Sequence, residues 1–169
     1  ILEIKNLSLK ISDEKILKNI NFELKEKEII SKEVLYDLPE WFGLPESTKE
    51  YIEDSQDKPF LACYADNEVA GFIVLNATSK DTADIFVMGI KKKFHRMGIG
   101  TKLNTEFENM AKNLGYSYSQ VKTVKMGHYK EYDITNEFYI AMGYKELECF
   151  PTLWDEWNPC QIYIKYLGE

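Results

Sequence analysis

The feature that most constrains this chain is a junction at which an apolar run is followed by two glycines and then by a strongly amphipathic segment. Residues 83–90 are apolar over a length typical of a strand. Residues 99–114 repeat apolar side chains at helical spacing, which predicts a helix whose buried face carries Ile99, Leu103, Phe107, Met110 and Leu114. Gly115 stands where a helix is commonly capped. We therefore expect a strand and a helix joined by a tight turn at Gly98 and Gly100.

The residues before this junction predict helices followed by an antiparallel meander. The first elements are a strand over residues 1–11, a helix beginning at Ser12 with Ile16, Ile20 and Leu24 on one face, and helices over about 31–37 and 46–52. Two apolar runs, 60–64 and 69–75, flank a segment of hairpin composition at 65–68. Together with residues 83–90, these runs predict three consecutive antiparallel strands.

The residues after the junction add further strands and one more helix. They predict a strand over 116–124, a helix over 135–142 closed by Gly143, and strands over 144–150 and 161–167 that are separated by a loop at 151–159. This order predicts an α/β fold, with a mixed central sheet and helices on both faces. The length predicts one domain over residues 1–169, with the N-terminal strand and helices in 1–58 and the core in 59–169.

Composition argues against several classes of partner. The formal net charge is −7, which disfavours a nucleic acid because such binding needs clustered cations. The chain has no stretch of 18 apolar residues and no signal-peptide pattern, so we expect a cytoplasmic protein without a membrane partner. The three cysteines, Cys63, Cys149 and Cys160, lack metal-ligand spacing. We expect reduced thiols and no bound metal.

The glycine turn has the composition of an anion site. Amide groups at the start of a helix point along the helix dipole and favour negative charge. The chain has no GxxxxGK[ST] sequence, which excludes a nucleotide-type phosphate loop. The dinucleotide motif GxGxxG fails as well, because Leu103 occupies its third glycine position. A plain structural turn explains the two glycines equally well.

In its context, the turn resembles the signature of a known family. An apolar strand, a short basic turn, a polar-x-x-Gly-x-Gly loop and an amphipathic helix are together similar to the GNAT acetyltransferases. The loop reads His95-Arg96-Met97-Gly98-Ile99-Gly100, and His95 stands where the family usually has Gln or Arg. The resemblance implies acetyl-coenzyme A (acetyl-CoA) as cofactor, with its pyrophosphate at this loop and surrounded by the amides of Met97, Gly98, Ile99, Gly100, Thr101 and Lys102.

A second match lies downstream, in the order that the family shows. Residues 135–144 are similar to the family's N-x-F-Y-x-x-x-G-F segment. The resemblance implies that Tyr139 protonates the departing thiolate and that Asn136 contacts the cofactor arm. Tyr139 can also be interpreted as a core aromatic residue whose hydroxyl has one partner.

The resemblance also implies where the thioester lies. In GNAT enzymes it lies where two parallel strands splay apart, here residues 83–90 and 116–124. Main-chain amides of Met88, Gly89 and Ile90 would face it, and Gly89 permits a bulge that frees an amide. We expect direct attack by the amine in a ternary complex, because no Cys or Ser is flanked by a His base.

The sequence does not single out the general base or the acceptor site. Asp84 is the first candidate for the base, and Glu148, Asp155, Glu156 and His128 compete with it. The acceptor, a small-molecule or peptide amine, is expected to be bound by an aromatic set, namely Trp41, Phe42, Tyr129, Tyr132, Trp154 and Trp157, with Asp155 or Glu156 for a cationic group. Covering of sheet edges or a homodimer contact explains these aromatic residues equally well.

Two rival interpretations come from other classes of protein. Residues 1–30 resemble the opening of an ABC-transporter ATPase, but the sequence lacks the phosphate-binding loop on which ATPase function depends. The second rival is a non-catalytic acyl-CoA-binding module with the same fold. Tyr139 argues against such a module.

Overall fold

A computed structural model describes residues 2–6 and 16–168. Its elements are β1 (Leu2–Asn6), α1 (Ile16–Leu35), α2 (Pro45–Asp54), β2 (Phe60–Ala65), β3 (Glu68–Ala77), β4 (Thr82–Ile90), a 3-10 turn (Lys92–Phe94), α3 (Ile99–Asn113), β5 (Tyr118–Val124), α4 (Lys130–Ala141), β6 (Lys145–Asp155) and β7 (Asn158–Tyr166). The hydrogen-bonded strand order is β1-β2-β3-β4-β5-β7-β6, with β4 and β5 parallel, so the predicted mixed α/β fold is confirmed. The predicted helix start at Ser12 and residues 7–11 of the first predicted strand lie outside the described residues, as do the side chains of Ile16, Ile20 and Leu24.

The chain forms two compact units. The first contains Ile1–Asn76 and Val87–Phe107, and the second contains Ala77–Phe86 and Glu108–Glu169. The one-domain organisation over residues 1–169 stays a prediction. No helix within the described residues is long and apolar enough to span a membrane.

In the first unit, β1, β2 and β3 pair antiparallel. Asp66 and Asn67 have φ angles of 51° and 67°, which is the conformation of a two-residue type I′ turn that matches the twist of its strands. The predicted hairpin between β2 and β3 is thereby confirmed. Phe60 and Phe72 stack at 5.1 Å between ring centroids, and neither is exposed to solvent.

The helix α1 differs from its prediction. It is one helix over Ile16–Leu35, whereas the sequence indicated two helices with a break before residue 31. The charged residues of the supposed break are good helix formers. One of these residues, Lys27, is fully buried. The burial is tolerated because its ammonium donates to the main-chain carbonyls of Gln56 at 3.0 Å and Lys58 at 2.9 Å. These bonds join α1 to the chain that follows α2.

In the second unit, β4 and β5 pair in parallel only between Thr82–Ile85 and Tyr118–Val121, although β5 continues to Val124. β5 pairs antiparallel with β7 along its whole length, and β7 pairs antiparallel with β6. The predicted helix over 135–142 begins earlier, since α4 starts at Lys130.

The end of α3 is partly as predicted. Gly115 has φ of +92°, and the amide of Tyr116 donates to the carbonyl of Ala111 at 3.0 Å, as in a glycine-capped helix end. The buried face from Ile99 to Met110 is confirmed. Leu114 was predicted to share that face, and this was wrong. The helix ends at Asn113, and Leu114 is 55% exposed.

The segment 151–159, predicted as a loop, is mostly strand. β6 extends to Asp155 and β7 begins at Asn158, so the connection is a tight hairpin. The carboxylate of Asp155 closes it by accepting hydrogen bonds from the amides of Trp157 at 2.8 Å and Asn158 at 2.9 Å. Pro151 is tolerated within β6 because it lies in an irregular stretch between Phe150 and Asp155 where the β6–β7 register is interrupted.

Candidate active site

We call residues 95–102, which lead from the 3-10 turn into α3, the glycine loop. Arg96 and Gly98 have positive φ angles of 63° and 77°. A helical hydrogen bond runs from the amide of Lys102 to the carbonyl of Gly98 at 3.1 Å. The amides that precede such a bond at a helix start have no acceptor within the helix. The glycine loop therefore presents main-chain donors at the positive end of the α3 dipole.

Gly98 has open space where a side chain would be. A Cβ built on Gly98 meets no atom within 4 Å, so packing within the protein does not require the glycine. Its positive φ does favour glycine, and the open space lets a ligand approach the main chain. Arg96 holds a similar φ with a side chain, a strained conformation that is often found at ligand sites. These observations fit a bound diphosphate.

The three lysines that precede the glycine loop are engaged in ion pairs. Lys91 is 6% exposed and contacts two carboxylates. Lys91 pairs with Glu33 and, at 3.1 Å, with Glu68. Lys92 pairs with Glu40 at 2.5 Å, and Lys93 pairs with Glu68 at 2.6 Å. The main-chain amide of Lys92 also donates to Asp37 at 2.7 Å. These contacts therefore stabilise the segment that leads into the glycine loop, and they largely neutralise the charges of its lysines.

His95 and Trp41 meet beside the glycine loop. A ring nitrogen of His95, Nε2, lies 2.7 Å from the carbonyl of Ile90, and the Trp41 ring contacts the His95 ring edge-on at 5.9 Å. Phe42 instead contacts Tyr51 of α2 at 5.9 Å. Trp41 and Phe42 were predicted to bind the acceptor together, and the structure gives them different neighbours. Their contact with an acceptor stays a prediction.

Gly89, near the end of β4, is required by close packing. A Cβ built on it would lie 2.8 Å from Cγ1 of Val34 and 3.2 Å from Cδ1 of Leu38. Glycine therefore allows α1 and the segment after it to approach β4. The predicted role of the Met88, Gly89 and Ile90 amides toward the thioester stays a prediction.

In the second unit, Tyr139 of α4 is buried, with 5% exposure. Its ring contacts those of Phe138 and Tyr144 at 5.2 and 5.6 Å. Burial raises the pKa of Tyr139 well above its ordinary value of 10.0, and the negative charge of Asp84 raises it further. The phenol therefore keeps its proton at neutral pH, which a general acid requires.

Asp84 of β4 is 4% exposed. Its Oδ1 accepts hydrogen bonds from Nζ of Lys122 at 2.8 Å and from Nε2 of Gln120 at 3.0 Å. Burial raises the pKa of Asp84 above its ordinary value, and the ammonium of Lys122 opposes this shift. Sequence reasoning missed Lys122 and Gln120. Their two-residue spacing places them on one face of β5, but only the pairing of Asp84 with Gln120 shows that this is the face of Asp84.

Asn136 is fully buried inside the second unit. Its Nδ2 donates to the carbonyls of Val124 at 2.9 Å and Tyr132 at 2.6 Å, and its Oδ1 accepts from the hydroxyl of Tyr163 at 2.7 Å. These bonds tie α4 to β5 and β7. Both donors of the amide therefore have acceptors within the protein, and the predicted contact of Asn136 with a cofactor arm stays a prediction.

Three aromatic residues that the sequence nominates for the acceptor, Tyr129, Trp154 and Trp157, lie at or beside the β6–β7 hairpin. Trp154 and Trp157 are 43% and 70% exposed, and the hydroxyl of Tyr129 lies 3.4 Å from the carbonyl of Trp157. Hydrogen bonds from Asn158 lower the pKa of Asp155, which makes it a weaker base. The three remaining candidates for the general base are all exposed, namely Glu148, Glu156 and His128.

No predicted site residue lines the hollow beside α1 and α2, whose walls are Tyr36, Ile52, Gln56 and four charged side chains. Cys160 is fully buried, and burial raises the pKa of its thiol to about 11. Such a thiol is neutral at physiological pH and is a poor nucleophile. The described chemistry therefore lies in the glycine loop and in the buried group around Asp84 and Tyr139.

Comparison with solved structures gives proteins of the same fold. A protein from Desulfovibrio desulfuricans assigned to the GNAT family has a TM-score of 0.77 at 13% identity, covering 99% of this chain and 100% of that one. A GNAT acetyltransferase from Elizabethkingia anophelis with acetyl-CoA bound gives 0.66 at 15% identity, with 98% and 97% covered. The aminoglycoside 6'-N-acetyltransferase from Enterococcus faecium gives 0.68 at 17% identity, with 99% and 98% covered.

Comparison with curated protein sequences gives no significant match. The family profile of the acetyltransferase (GNAT) family matches residues 28–130, after most of the segment that resembles an ABC-transporter ATPase. This match covers more than half of the chain and includes β4, the glycine loop and α3. The chain therefore belongs to the acetyltransferase (GNAT) family.

Proposed function

We propose that this chain is an acetyl-CoA-dependent N-acetyltransferase that acts on a primary amine by direct attack in a ternary complex. The observation that carries the proposal is the glycine loop, where Gly98 has a positive φ, open space and main-chain donors at the start of α3. Acetyl-CoA bound to a solved structure of the same fold supports the choice of cofactor.

The cofactor is held chiefly by main-chain amides in this proposal. The amides of the glycine loop from Met97 to Thr101 bind the pyrophosphate, whereas the Lys102 amide, which the sequence also nominated, donates to the carbonyl of Gly98. The side chains of His95 and Arg96 lie at the start of the loop. Because the lysines before the loop are paired with glutamates, the cationic side chains of the loop itself, Arg96 and Lys102, are the candidates for ion pairs with the phosphates. When bound, acetyl-CoA supplies an acetyl group activated as a thioester.

Two buried side chains move the protons. Asp84 accepts the proton of the attacking amine on a carboxylate oxygen, and its raised pKa makes it a stronger base than an exposed Asp. Tyr139 donates its hydroxyl proton to the leaving group, and its raised pKa keeps that proton in place until it is needed. A covalent enzyme intermediate is not part of the proposal, since the buried Cys160 thiol is held neutral.

The acceptor in this proposal is a small-molecule or peptide amine. The net charge of −7 favours a neutral or cationic substrate over a polyanion. The similarity in fold to an aminoglycoside acetyltransferase supports a small-molecule amine as the first class to screen.

The test combines binding with turnover. We expect acetyl-CoA to raise the melting temperature of the protein, and we expect free thiol to form when polyamines, aminoglycosides, amino acids and peptides are added. Heat-inactivated protein is the control for spontaneous hydrolysis. Stabilisation without thiol release from any amine pool would favour the non-catalytic acyl-CoA-binding module. No stabilisation by acetyl-CoA or coenzyme A would contradict both functions.

A further inference from the structure

We propose that Lys122 is a positioning residue of this enzyme, which holds Asp84 ionised and directs one of its two carboxylate oxygens to the attacking amine. The inference rests on the proposed function, in which Asp84 is the general base. It is carried by a contact within the second unit, where Nζ of Lys122 lies 2.8 Å from Oδ1 of Asp84.

The two oxygens of Asp84 have different surroundings. Both described hydrogen bonds, from Lys122 and from Gln120, end on Oδ1. Oδ2 receives no bond from the described residues and is the oxygen left to take a proton. A carboxylate whose one oxygen is fixed by two donors has its other oxygen oriented as well. The pair of donors therefore selects which oxygen acts as the base.

Burial alone would remove the charge that a base needs. Asp84 is 4% exposed, and an isolated carboxylate in such a place takes up a proton. A protonated Asp84 cannot accept another proton from an amine. Lys122 opposes this effect, because its Nζ lies 2.8 Å from Oδ1 of Asp84 and its side chain is 29% exposed. Asp84 is thus the buried member of the pair, and Lys122 is the more exposed member that supplies the opposite charge.

The other titratable groups that interact with the charge of Asp84, Cys160 and Tyr139, are themselves neutral. From β7, Cys160 is near enough to interact electrostatically with Lys122 and Asp84, but burial keeps its thiol protonated. From α4, Tyr139 interacts with the charge of Asp84, which raises the pKa of the phenol. An ionised Asp84 therefore helps Tyr139 to remain protonated. Lys122 supports the base directly and the acid indirectly.

The strand register explains how this arrangement arises. Asp84 pairs with Gln120 in the parallel ladder, and Lys122 is two residues further along β5 on the same face. Gln120 donates a hydrogen bond without a charge, whereas Lys122 supplies the only described ammonium that bonds Asp84. The two donors can therefore be separated by mutation.

The experiment compares Lys122→Met with Lys122→Arg in the full chain. Carboxyl NMR gives the titration midpoint of Asp84, whose resonance is assigned by its loss in Asp84→Asn, and kinetics give the pH profile of kcat/KM. We expect Lys122→Met to raise the midpoint of Asp84 by about one to three pH units and to move the acidic limb of the profile by the same amount. Lys122→Arg retains a cation and should restore both values toward wild type.

Several results would overturn the inference. An unchanged Asp84 midpoint in Lys122→Met would show that Lys122 does not hold the carboxylate, and Lys122→Gln provides the same reading if Lys122→Met does not fold. A shifted midpoint with an unshifted kinetic profile would overturn the role in catalysis. Full activity of Asp84→Asn would instead refute the base assignment of the proposed function, while the NMR midpoint would still decide whether Lys122 holds Asp84.

Discussion

The glycine loop and the buried group around Asp84 and Tyr139 differ in exposure and in the kind of group that they offer to a ligand. The glycine loop is exposed from residue 95 to residue 98 and offers main-chain donors, whose position depends on backbone angles. Asp84 and Tyr139 are 4% and 5% exposed and offer side chains whose proton affinities are altered by burial. Holding an anion needs donors that stay open to the ligand, whereas burial changes the proton affinity of a side chain that acts as an acid or a base.

The largest expected effect would come from Tyr139→Phe, which removes one buried proton donor and little volume. We expect turnover to fall by about 10²-fold to 10⁴-fold, as for loss of a general acid, with the coenzyme A dissociation constant unchanged. Steady-state kinetics and calorimetry measure the two quantities. Unaltered turnover would remove Tyr139 from the mechanism.

Tyr144→Phe is the matched control for that variant. Tyr144 is also buried, and its hydroxyl lies 2.6 Å from Oγ of Ser119. Its loss should lower the free energy of unfolding by about 1 kcal/mol and leave turnover close to wild type. An equal loss of turnover in both variants would show that the effect comes from altered packing.

The next effect concerns Asn136, which sequence and structure interpret differently. Asn136→Ala leaves the Tyr163 hydroxyl and the Val124 carbonyl without a described partner, so we expect the free energy of unfolding to fall by about 2 to 4 kcal/mol. Denaturant unfolding measures this loss. Tyr163→Phe, which removes one of the same bonds, should cost less.

The coenzyme A affinity of Asn136→Ala decides between the two interpretations. If Asn136 only ties α4 to β5 and β7, the dissociation constant should change little in folded protein. A tenfold weaker affinity with unchanged stability would restore the predicted contact with the cofactor arm.

The smallest expected effect is in the glycine loop, where Gly98→Val should weaken coenzyme A binding by about tenfold, or about 1.4 kcal/mol. Gly115→Val is the matched control, because both glycines have positive φ and open surroundings. Both variants should lose about 1 to 2 kcal/mol of stability through backbone strain. Only Gly98→Val should weaken binding, and equal affinities in the two variants would contradict the loop assignment.

The accuracy of the sequence predictions followed how local each signal was. The β2–β3 hairpin and the glycine cap at Gly115 depend on residues close in the chain, and both are confirmed. The supposed break in α1 was wrong, because Lys27 is made tolerable by carbonyls about thirty residues away. The hairpin at Asp155 was predicted as a loop, because its two prolines are typical of loops. The hydrogen bond from the Asn158 amide to the Asp155 carboxylate, which closes the turn, cannot be recognised from the sequence.

The succession of strands and the position of the glycine loop could be predicted from the sequence, because alternation within a strand and backbone conformation at a glycine turn depend on local residues. The sequence also nominated Tyr139 and Asp84. Their surroundings follow from tertiary contacts, since the parallel register brings Lys122 and Gln120 to Oδ1 of Asp84. Proton affinity depends on burial and on charges brought from distant parts of the chain, and neither can be measured along a sequence.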